Sequence, residues 1–305
     1  MKDTQKAWLK ETFGPLVNFH EPMSRHTTFR IGGPATVVTV RDERWLRTLV
    51  RWASDGDLAL LILGAGSNLL VADAGIKALV VKLAGDFEKI ELAEAPDVQD
   101  TMINAGAAAM VRALGRYALS RALAGLNFTL GIPGSVGGAL RMNAGAWGGC
   151  MADVIHAVTV LKPDGDMVTT GRKHLDFTYR SMRLEKGDII VGGQFRVQPG
   201  DREALRKEAT AMQKKRAASQ PLSEPSAGCV FRNPGGTLTA GELIDKAGLK
   251  GLRRGDAQVS SKHANFIINH GCATAADVMG LIETVQETVF KRFGVALEPE
   301  VTIVE

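Results

Sequence analysis

Apolar residues along the chain recur with two different spacings, which predict strands in some segments and helices in others. Strands are predicted where apolar runs are short and bounded by turn residues, over residues 35–40, 58–63, 78–83, 101–105, 189–197 and 265–269, with a hairpin over 154–170. Helical spacing predicts a short helix within residues 1–20, a helix after Asp42, and helices over 107–123, 201–218, 240–247 and 275–293. This mixture predicts an α+β fold.

Capping residues sharpen the limits of two of these helices. Asp42 directly precedes apolar positions at helical spacing and is a favoured N-cap residue. Thr274 and Asp277 have the spacing of a capping box, and Gly294 is the residue type that most often stops a helix. We therefore expect the last helix to occupy about residues 275–293.

The length of 305 residues suggests about two domains. The charged helix over 201–218 ends before Pro221 and separates two stretches of predicted elements. We therefore divide the chain into an N-terminal helical segment (1–20), a first domain (21–200), a linking helix (201–218) and a C-terminal domain (219–305).

Composition and charge narrow the class of protein. The net charge is only +4 and aromatic residues make up 6% of the chain, whereas a nucleic-acid-binding protein usually carries a basic stripe with interleaved aromatics. The three cysteines, Cys150, Cys229 and Cys272, are too far apart for a CxxC metal site and do not indicate a disulfide framework. The first residues lack an apolar signal core, and no apolar run is long enough to span a bilayer. We expect a cytoplasmic protein that binds an anionic small molecule.

Two glycine-rich stretches are candidates for binding phosphate. In the first, a predicted strand runs into Gly64-Ala65-Gly66-Ser67-Asn68-Leu69, and in the second, Gly131–Ala139 leads to Asn143-Ala144-Gly145. Successive main-chain N–H groups in such turns can form an anion-binding concavity, and glycine lets a ligand approach the backbone closely. Both stretches are also compatible with tight turns that serve packing alone.

Three further motifs carry reactive or charged side chains. Arg180 follows Tyr179 at a hairpin end, where it is either a surface ion-pair residue or a partner for a carboxylate. Cys229 follows a glycine in a proline-bounded loop, where a thiol is either inert or reactive. Glu300, in Glu298-Pro299-Glu300, is either a solvated carboxylate near the end of the chain or a functional one.

Taken together, these motifs resemble the UDP-N-acetylenolpyruvoylglucosamine reductase (MurB) family over nearly the whole chain. The resemblance also includes the segment His26–Ala35, with Arg30, and Ala240-Gly241-Glu242-Leu243-Ile244-Asp245. It implies an FAD-binding fold of the vanillyl-alcohol-oxidase/PCMH type with two subdomains, followed by a C-terminal α+β substrate domain. The residues that it implies for cofactor binding are Arg30, Gly64, Ala65, Gly66, Ser67, Asn68, Leu69, Gly131, Pro133, Gly134, Ser135, Gly138, Asn143, Ala144 and Gly145.

The resemblance also implies a reaction, which is the reduction of UDP-N-acetylglucosamine enolpyruvate to UDP-N-acetylmuramate in peptidoglycan precursor synthesis. FAD would be the cofactor, NADPH the co-substrate and Arg180, Cys229 and Glu300 the catalytic residues, with Cys229 as the proton donor. The residues implied for substrate binding are Tyr179, Arg216, Asn233 and His263. No metal is implied, and we expect a monomer.

Two alternatives remain open at this point. One is an oxidase of the same flavin fold that acts on an alcohol or sugar, and the other is a regulatory module that binds flavin or a UDP-sugar without catalysis. Some family members carry a tyrosine on an inserted lid, but this chain has only Tyr117 and Tyr179 and a short Ser181–Gln194 segment. It therefore resembles the shorter, lidless branch of the family.

Overall fold

The computed structural model describes residues 1–93 and 101–305 of the chain. Within these ranges the α-helices are α1 (Asp3–Phe13), α2 (Glu43–Asp55), α3 (Val111–Ser120), α4 (Val136–Arg141), α5 (Met151–Val154), α6 (Arg202–Ser219), α7 (Ala240–Lys246) and α8 (Ala275–Phe293). The first strands are β1 (Val17–Pro22), β2 (Pro34–Val40), β3 (Leu60–Leu63), β4 (Leu69–Val71), β5 (Leu79–Leu83), β6 (Ile90–Ala93), β7 (Thr101–Gly106), β8 (Leu123–Ala124), β9 (Gly145–Ala146) and β10 (Gly149–Cys150). The remaining strands are β11 (Ile155–Leu161), β12 (Met167–Gly171), β13 (Phe177–Thr178), β14 (Ser181–Met182), β15 (Ile189–Pro199), β16 (Arg253–Arg254), β17 (Ala257–Val259), β18 (Ile267–Asn269) and β19 (Thr302–Val304).

The predicted helix ends are confirmed where capping residues mark them. The Asp42 carboxylate accepts a hydrogen bond from the Trp45 N–H, 3.0 Å, at the start of α2. At α8 the Thr274 hydroxyl accepts from the Asp277 N–H while the Asp277 carboxylate accepts from the Thr274 N–H. Gly294 then ends α8 with a left-handed φ of 67°. These short-range interactions explain why the predicted start of α2 and the predicted limits of α8 agree with the observed ones.

The predicted N-terminal helical segment 1–20 is helical only up to Leu16, because strand β1 begins at Val17. Helix α3 and strand β18 also differ from the prediction, because both begin later than expected. Helix α3 starts at Val111 rather than near residue 107, because the Ala107 N–H donates to the Val191 carbonyl and the Ala108 N–H to the Phe87 carbonyl. Strand β18 starts at Ile267 rather than Asn265, because the Phe266 N–H donates to the His263 carbonyl and closes a turn. Both corrections come from contacts that compete with the locally predicted element.

The chain divides into two compact units. Unit 1 comprises residues 1–18, 37–65 and 78–215, and unit 2 comprises residues 19–36, 66–77 and 216–305. The C-terminal boundary, between Lys215 and Arg216, lies within α6, close to the expected division. Residues 19–36 and 66–77 differ from the predicted domain boundaries, because they group with the C-terminal residues rather than with the first domain.

Unit 1 contains a sheet with the strand order β12-β11-β15-β7-β6, in which β8 also pairs with β15. Its central strands β7 and β15 are antiparallel, with Ile103 opposite Phe195. Met102, Ile103 and Phe195 are all buried, so this pair of strands contributes directly to the core of the unit. Strand β3 pairs in parallel with β5, with Leu61 opposite Val80, and β3 leads directly into the first glycine-rich stretch.

Unit 2 is built from segments that are distant in sequence. Strands β16, β17 and β18 form an antiparallel sheet, while β4 pairs in parallel with β19 so that Leu70 lies opposite Ile303. The Asp73 carboxylate accepts hydrogen bonds from the Ala275 N–H, 2.8 Å, and the Ala276 N–H, 3.1 Å, at the start of α8. These bonds explain why residues 66–77 belong with the C-terminal part of the chain.

Candidate functional site

In unit 1 the two glycine-rich stretches meet at Gly64 and Ser135. Gly64 is exposed directly after β3, and a Cβ atom placed on it would lie 2.5 Å from the Ser135 Oγ. The Ser135 hydroxyl in turn accepts a hydrogen bond from the Gly138 N–H, 3.4 Å, at the start of α4. Main chain from one stretch therefore faces a hydroxyl group from the other.

The second glycine-rich stretch is only partly a loop, which corrects the sequence-based description. A short 3-10 helix covers Asn127–Gly131, and α4 begins at Val136, so Gly137 and Gly138 are helical. The Gly137 N–H donates to the Ala107 carbonyl, 2.8 Å, and a Cβ at Gly137 would lie 2.9 Å from the Ala107 Cβ. Gly137 thus serves close packing, and the loop proper is limited to residues 132–135.

Asn143 connects the end of this stretch to the hairpin that carries Arg180. The Asn143 side chain is buried, donating to the Thr178 carbonyl, 3.0 Å, and accepting from the Ala152 N–H, 3.0 Å. Its main chain has a positive φ of 40°, a conformation that asparagine tolerates better than most residues. Asn143 therefore holds the backbone around Ala144 in place.

Arg180 lies in the two-residue turn between β13 and β14. Its φ of 58° is left-handed, and Tyr179 beside it is 56% exposed. The Arg180 guanidinium donates to the Gly145 carbonyl, 3.5 Å, and its Cζ lies 5.3 Å from the centre of the Tyr179 ring. The structure thus brings Asn143, Gly145, Tyr179 and Arg180 together within unit 1.

In unit 2, Cys229 and Glu300 lie on neighbouring backbone segments. The Glu300 N–H donates to the carbonyl oxygen of Val230, the residue after Cys229, over 2.7 Å. Cys229 itself forms an antiparallel bridge with Phe266, and both Cys229 and Glu300 are half-buried. The residues that carry the thiol and the carboxyl group, Cys229 and Glu300, are therefore connected through one main-chain hydrogen bond at Val230.

The loop after Ala65 is attached to the same part of unit 2. The Asn68 side-chain amide donates to the Glu300 carbonyl, 3.1 Å, and the Thr302 N–H donates to the Asn68 carbonyl, 2.9 Å. Gly66 has a φ of 63°, and a side chain there would collide with the His26 carbonyl oxygen. Ser67, Asn68 and Leu69, which were predicted to contact cofactor, are therefore positioned together with Glu300.

Arg30 was also predicted to contact the cofactor. It is exposed and has a positive φ of 56°. Its N–H donates to the Thr27 carbonyl, 3.1 Å, within the segment 19–36 of unit 2.

The other three residues predicted to bind the substrate, Arg216, Asn233 and His263, have different surroundings. The Arg216 Nε donates to the Gln220 Oε1, 2.8 Å, and the Asn233 side-chain oxygen accepts from the Ala240 N–H, 3.1 Å. Burial lowers the pKa of His263, and its Nδ1 accepts from the Asn265 N–H, 3.3 Å. This bond places the proton of the neutral imidazole on Nε2.

Sequence reasoning missed Asn265, which is only 4% exposed. Its side-chain oxygen accepts from the Phe231 N–H, 2.9 Å, and its side-chain nitrogen donates to the Phe231 carbonyl, 2.8 Å. An amide in the otherwise apolar run from Ala264 to Ile268 was the available signal, because buried polar side chains need hydrogen-bond partners.

Within the described ranges, no group of three or more His, Cys, Asp or Glu side chains is arranged to hold a metal ion. In the same ranges, no helix is long and apolar enough to cross a membrane.

Comparison with known proteins first defines the class. Residues 34–171 match the family model described as "FAD binding domain", and residues 220–304 match "UDP-N-acetylenolpyruvoylglucosamine reductase, C-terminal domain". The chain is therefore an FAD-binding protein with a second, C-terminal domain, and the predicted cofactor and the predicted α+β class are confirmed.

The particular family follows from its relatives. The chain is 46% identical over 291 residues to UDP-N-acetylenolpyruvoylglucosamine reductase of Agathobacter rectalis, covering 93% of this chain and 92% of that protein. It is 44% identical to the protein of the same name from Geobacter metallireducens, covering 100% and 99% of the two chains. The crystal structure of the reductase (MurB) from Thermus caldophilus is similar, with a TM-score of 0.83 and 36% identity over 95% of this chain and 99% of that one. The chain belongs to the UDP-N-acetylenolpyruvoylglucosamine reductase family, as predicted.

Proposed function

We propose that this protein is an FAD-dependent reductase that converts UDP-N-acetylglucosamine enolpyruvate to UDP-N-acetylmuramate for peptidoglycan synthesis, with NADPH as the hydride source. Family membership over nearly the full chain supports the reaction class. The observation that carries the proposal is the 2.7 Å contact from the Glu300 N–H to the Val230 carbonyl, which holds a thiol and a carboxyl group on adjacent segments.

The residues of unit 1 fit a cofactor that contains a diphosphate. Gly64 is exposed, and the Ser135 hydroxyl lies close to the place that a Cβ atom on Gly64 would take. The main chain at Gly64 therefore faces the second stretch directly. Phosphate oxygens bind to such main-chain surfaces through N–H groups. We propose that Gly64, Ala65, Pro133, Gly134, Ser135 and Gly138 hold the cofactor here, together with main-chain groups at Gly131, Ala144 and Gly145. In unit 2 we propose Arg30, Gly66, Ser67, Asn68 and Leu69 for the same role.

Bound FAD would supply hydride transfer from NADPH to the terminal vinyl carbon of the substrate. As that carbon is reduced, negative charge develops on the enolpyruvyl carboxylate. Arg180 stabilises this charge because its planar guanidinium matches a carboxylate, and Glu300 does so by donating a hydrogen bond in its protonated form. Each residue acts on charge that is larger in the transition state than in the bound substrate, which is the requirement for accelerating the reaction.

Cys229 completes the reduction by giving its thiol proton to the carbon next to the carboxylate. A thiol with an ordinary pKa of about 8.5 is mostly protonated near neutral pH and is a stronger acid than a serine hydroxyl.

Tyr179, Arg216, Asn233 and His263 are proposed to bind the substrate. The His263 Nδ1 already accepts from the Asn265 N–H, so the neutral ring carries its proton on Nε2. We propose that this Nε2–H donates a hydrogen bond to the ligand.

An anaerobic titration tests this function. The oxidised protein, as purified, is expected to be yellow, to lose its colour when NADPH is added, and to regain it when UDP-N-acetylglucosamine enolpyruvate follows. Formation of UDP-N-acetylmuramate is then measured by mass spectrometry. Return of the colour only after oxygen is admitted would instead indicate an oxidase, and a flavin that NADPH cannot bleach would indicate a binding module.

A further inference from the structure

The Asn265 side chain acts as a substitute strand partner for Phe231. Its amide oxygen accepts from the Phe231 N–H, 2.9 Å, and its amide nitrogen donates to the Phe231 carbonyl, 2.8 Å. Asn265 is 4% exposed and Phe231 is 2% exposed, so water does not readily replace these bonds. Removing the amide would leave two buried main-chain groups of Phe231 without these partners, which is costly.

The main chain around Asn265 holds the same segment at Cys229 and Val230. The Val230 N–H donates to the Asn265 carbonyl, 2.8 Å, and Cys229 is bridged to Phe266. The Asn265 N–H is in turn fixed by the His263 Nδ1. The position of Cys229 therefore depends on residues 263–266, and Asn265 takes part in each of the hydrogen bonds described above.

The segment held by Asn265 also determines where Glu300 lies. The Val230 carbonyl accepts from the Glu300 N–H, 2.7 Å, and the Phe231 backbone is bridged to Pro299. A shift of Phe231 would consequently move Pro299 and Glu300 as well as Cys229. One buried amide is thus connected to both groups through short, direct contacts.

We infer that Asn265 is a positioning residue that sets the Cys229 thiol and the Glu300 carboxyl group relative to each other. The inference rests on the proposed function, which gives these two groups their roles in the reduction of the substrate. Asn265 does not itself react. Because misplacement of reacting groups by about 1 Å can slow a reaction about a hundredfold, loss of the amide slows the step that uses these groups.

The experiment separates the two half-reactions by anaerobic stopped-flow absorbance in the FAD-loaded protein. Asn265→Leu keeps the same number of side-chain heavy atoms and the same branching at Cγ but cannot form either side-chain hydrogen bond. We expect reduction of the flavin by NADPH to stay within about twofold of wild type, whereas reoxidation by the enolpyruvyl UDP-sugar at saturating concentration slows about tenfold to a hundredfold. The KM for the UDP-sugar changes less than kcat.

Asn269→Leu is the matched control. Asn269 lies on the same part of the chain, is 3% exposed, and bonds through its side chain to the Phe29 carbonyl and to the N–H groups of Gly271 and Ala273. Its loss is expected to lower Tm to a similar extent while leaving reoxidation within about threefold of wild type. Equal slowing in Asn265→Leu and Asn269→Leu would show a merely structural role and overturn the inference.

Asn265→Asp provides a test that does not depend on the fold of the leucine variant. A protonated carboxyl group has the shape of the amide and can both accept from the Phe231 N–H and donate to its carbonyl, whereas the carboxylate only accepts. Reoxidation in Asn265→Asp should therefore recover as the pH is lowered, relative to wild type at each pH. A flat ratio of the two rates across pH would contradict the role of the amide.

Failure of the inference and failure of the proposed function give different results. If wild-type protein, reduced with dithionite, is not reoxidised by the UDP-sugar, then the proposed reaction is wrong. If wild type is reoxidised and Asn265→Leu reoxidises at the same rate while keeping its far-UV circular dichroism, then Asn265 has no positioning role.

Discussion

Replacement of Gly64 by alanine tests whether the contact between the two glycine-rich stretches forms part of the FAD site. The added Cβ would lie 2.5 Å from the Ser135 Oγ, whereas real Cβ contacts are essentially never closer than 3.0 Å. Either the Ser135 hydroxyl rotates and gives up its hydrogen bond from the Gly138 N–H, or one stretch moves by about 0.5 Å. Overpacking of this kind costs about 1–3 kcal/mol.

In the free protein either change relieves the overlap, but the proposed FAD site needs both stretches and the Ser135 hydroxyl in place. The full strain then opposes binding, and at 1.4 kcal/mol per factor of ten the Kd for FAD rises about 5-fold to 150-fold. The assay is equilibrium titration of apoprotein with FAD, followed by quenching of flavin fluorescence. Gly171→Ala is the control, because a Cβ at Gly171 meets no atom within 4 Å.

A double variant makes the argument specific to the Ser135 contact. Gly64→Ala/Ser135→Gly removes the colliding hydroxyl, and glycine replaces serine as an N-cap at a cost of only a few tenths of a kcal/mol. FAD affinity in the double variant should exceed the value expected from adding the two single effects. Wild-type affinity in Gly64→Ala, or strict additivity in the double variant, would refute the reasoning.

Three further predictions concern unit 2. Cys229→Ala should slow reoxidation of reduced flavin by the enolpyruvyl UDP-sugar by about 10²-fold to 10⁴-fold in stopped-flow measurements. Cys229→Ser should retain more of the rate. Reoxidation of Cys229→Ala at the wild-type rate would exclude proton donation by the thiol. Asp73→Ala should reduce the free energy of unfolding by about 1–3 kcal/mol in urea, because two N–H groups at the start of α8 lose their acceptor. Asp73→Asn, which keeps an acceptor oxygen, should lose less, and equal losses would contradict the capping role. Burial holds the pKa of His263 below its ordinary 6.5, so the neutral ring favours the folded state above pH 6.5 and this contribution declines as the pH falls below that value. His263→Gln should therefore show a shallower loss of urea stability than wild type between about pH 7 and about pH 5, and parallel curves would contradict this.

Local signals account for the parts of the fold that the sequence predicted well. The ends of α8 depend on Thr274, Asp277 and Gly294, all within one turn of the helix limits, and the start of α2 depends in the same way on Asp42. Such contacts involve residues three or four positions apart, so a single sequence contains the information needed to find them.

Helix α4 shows how tertiary contacts override a local pattern. Glycine disfavours helix, so the run Gly131–Ala139 is typical of a loop. In the structure Ser135 caps the helix and Gly137 packs against Ala107, a contact that any larger side chain would prevent. The glycine that argued against a helix is the residue that allows this helix to pack.

The site was predictable to the extent that its residues occur in recognisable motifs. Arg180, Cys229 and Glu300 are proposed from such motifs, whereas Asn265 was not, because its contacts are hydrogen bonds to Phe231, 34 positions earlier in the chain. Its local pattern indicated a strand, but the turn closed by Phe266 and His263 directs the amide toward Phe231 instead. Long-range hydrogen bonds of this kind leave no periodic trace in one sequence.

In unit 2, the loop over residues 66–69 is hydrogen-bonded to the segment that carries Glu300. Asn68, from a loop expected to contact FAD, donates to the Glu300 carbonyl. Strand β4, which begins at Leu69, pairs with β19, which begins two residues after Glu300. Asp73 then fixes the far end of the same segment to α8. A ligand that displaces residues 66–69 is therefore expected to shift the backbone of Glu300 as well, because Asn68 is hydrogen-bonded to the Glu300 carbonyl and to the Thr302 N–H. Substitutions in this loop should consequently affect the substrate half-reaction as well as flavin affinity, which a loop attached only to unit 1 would not do.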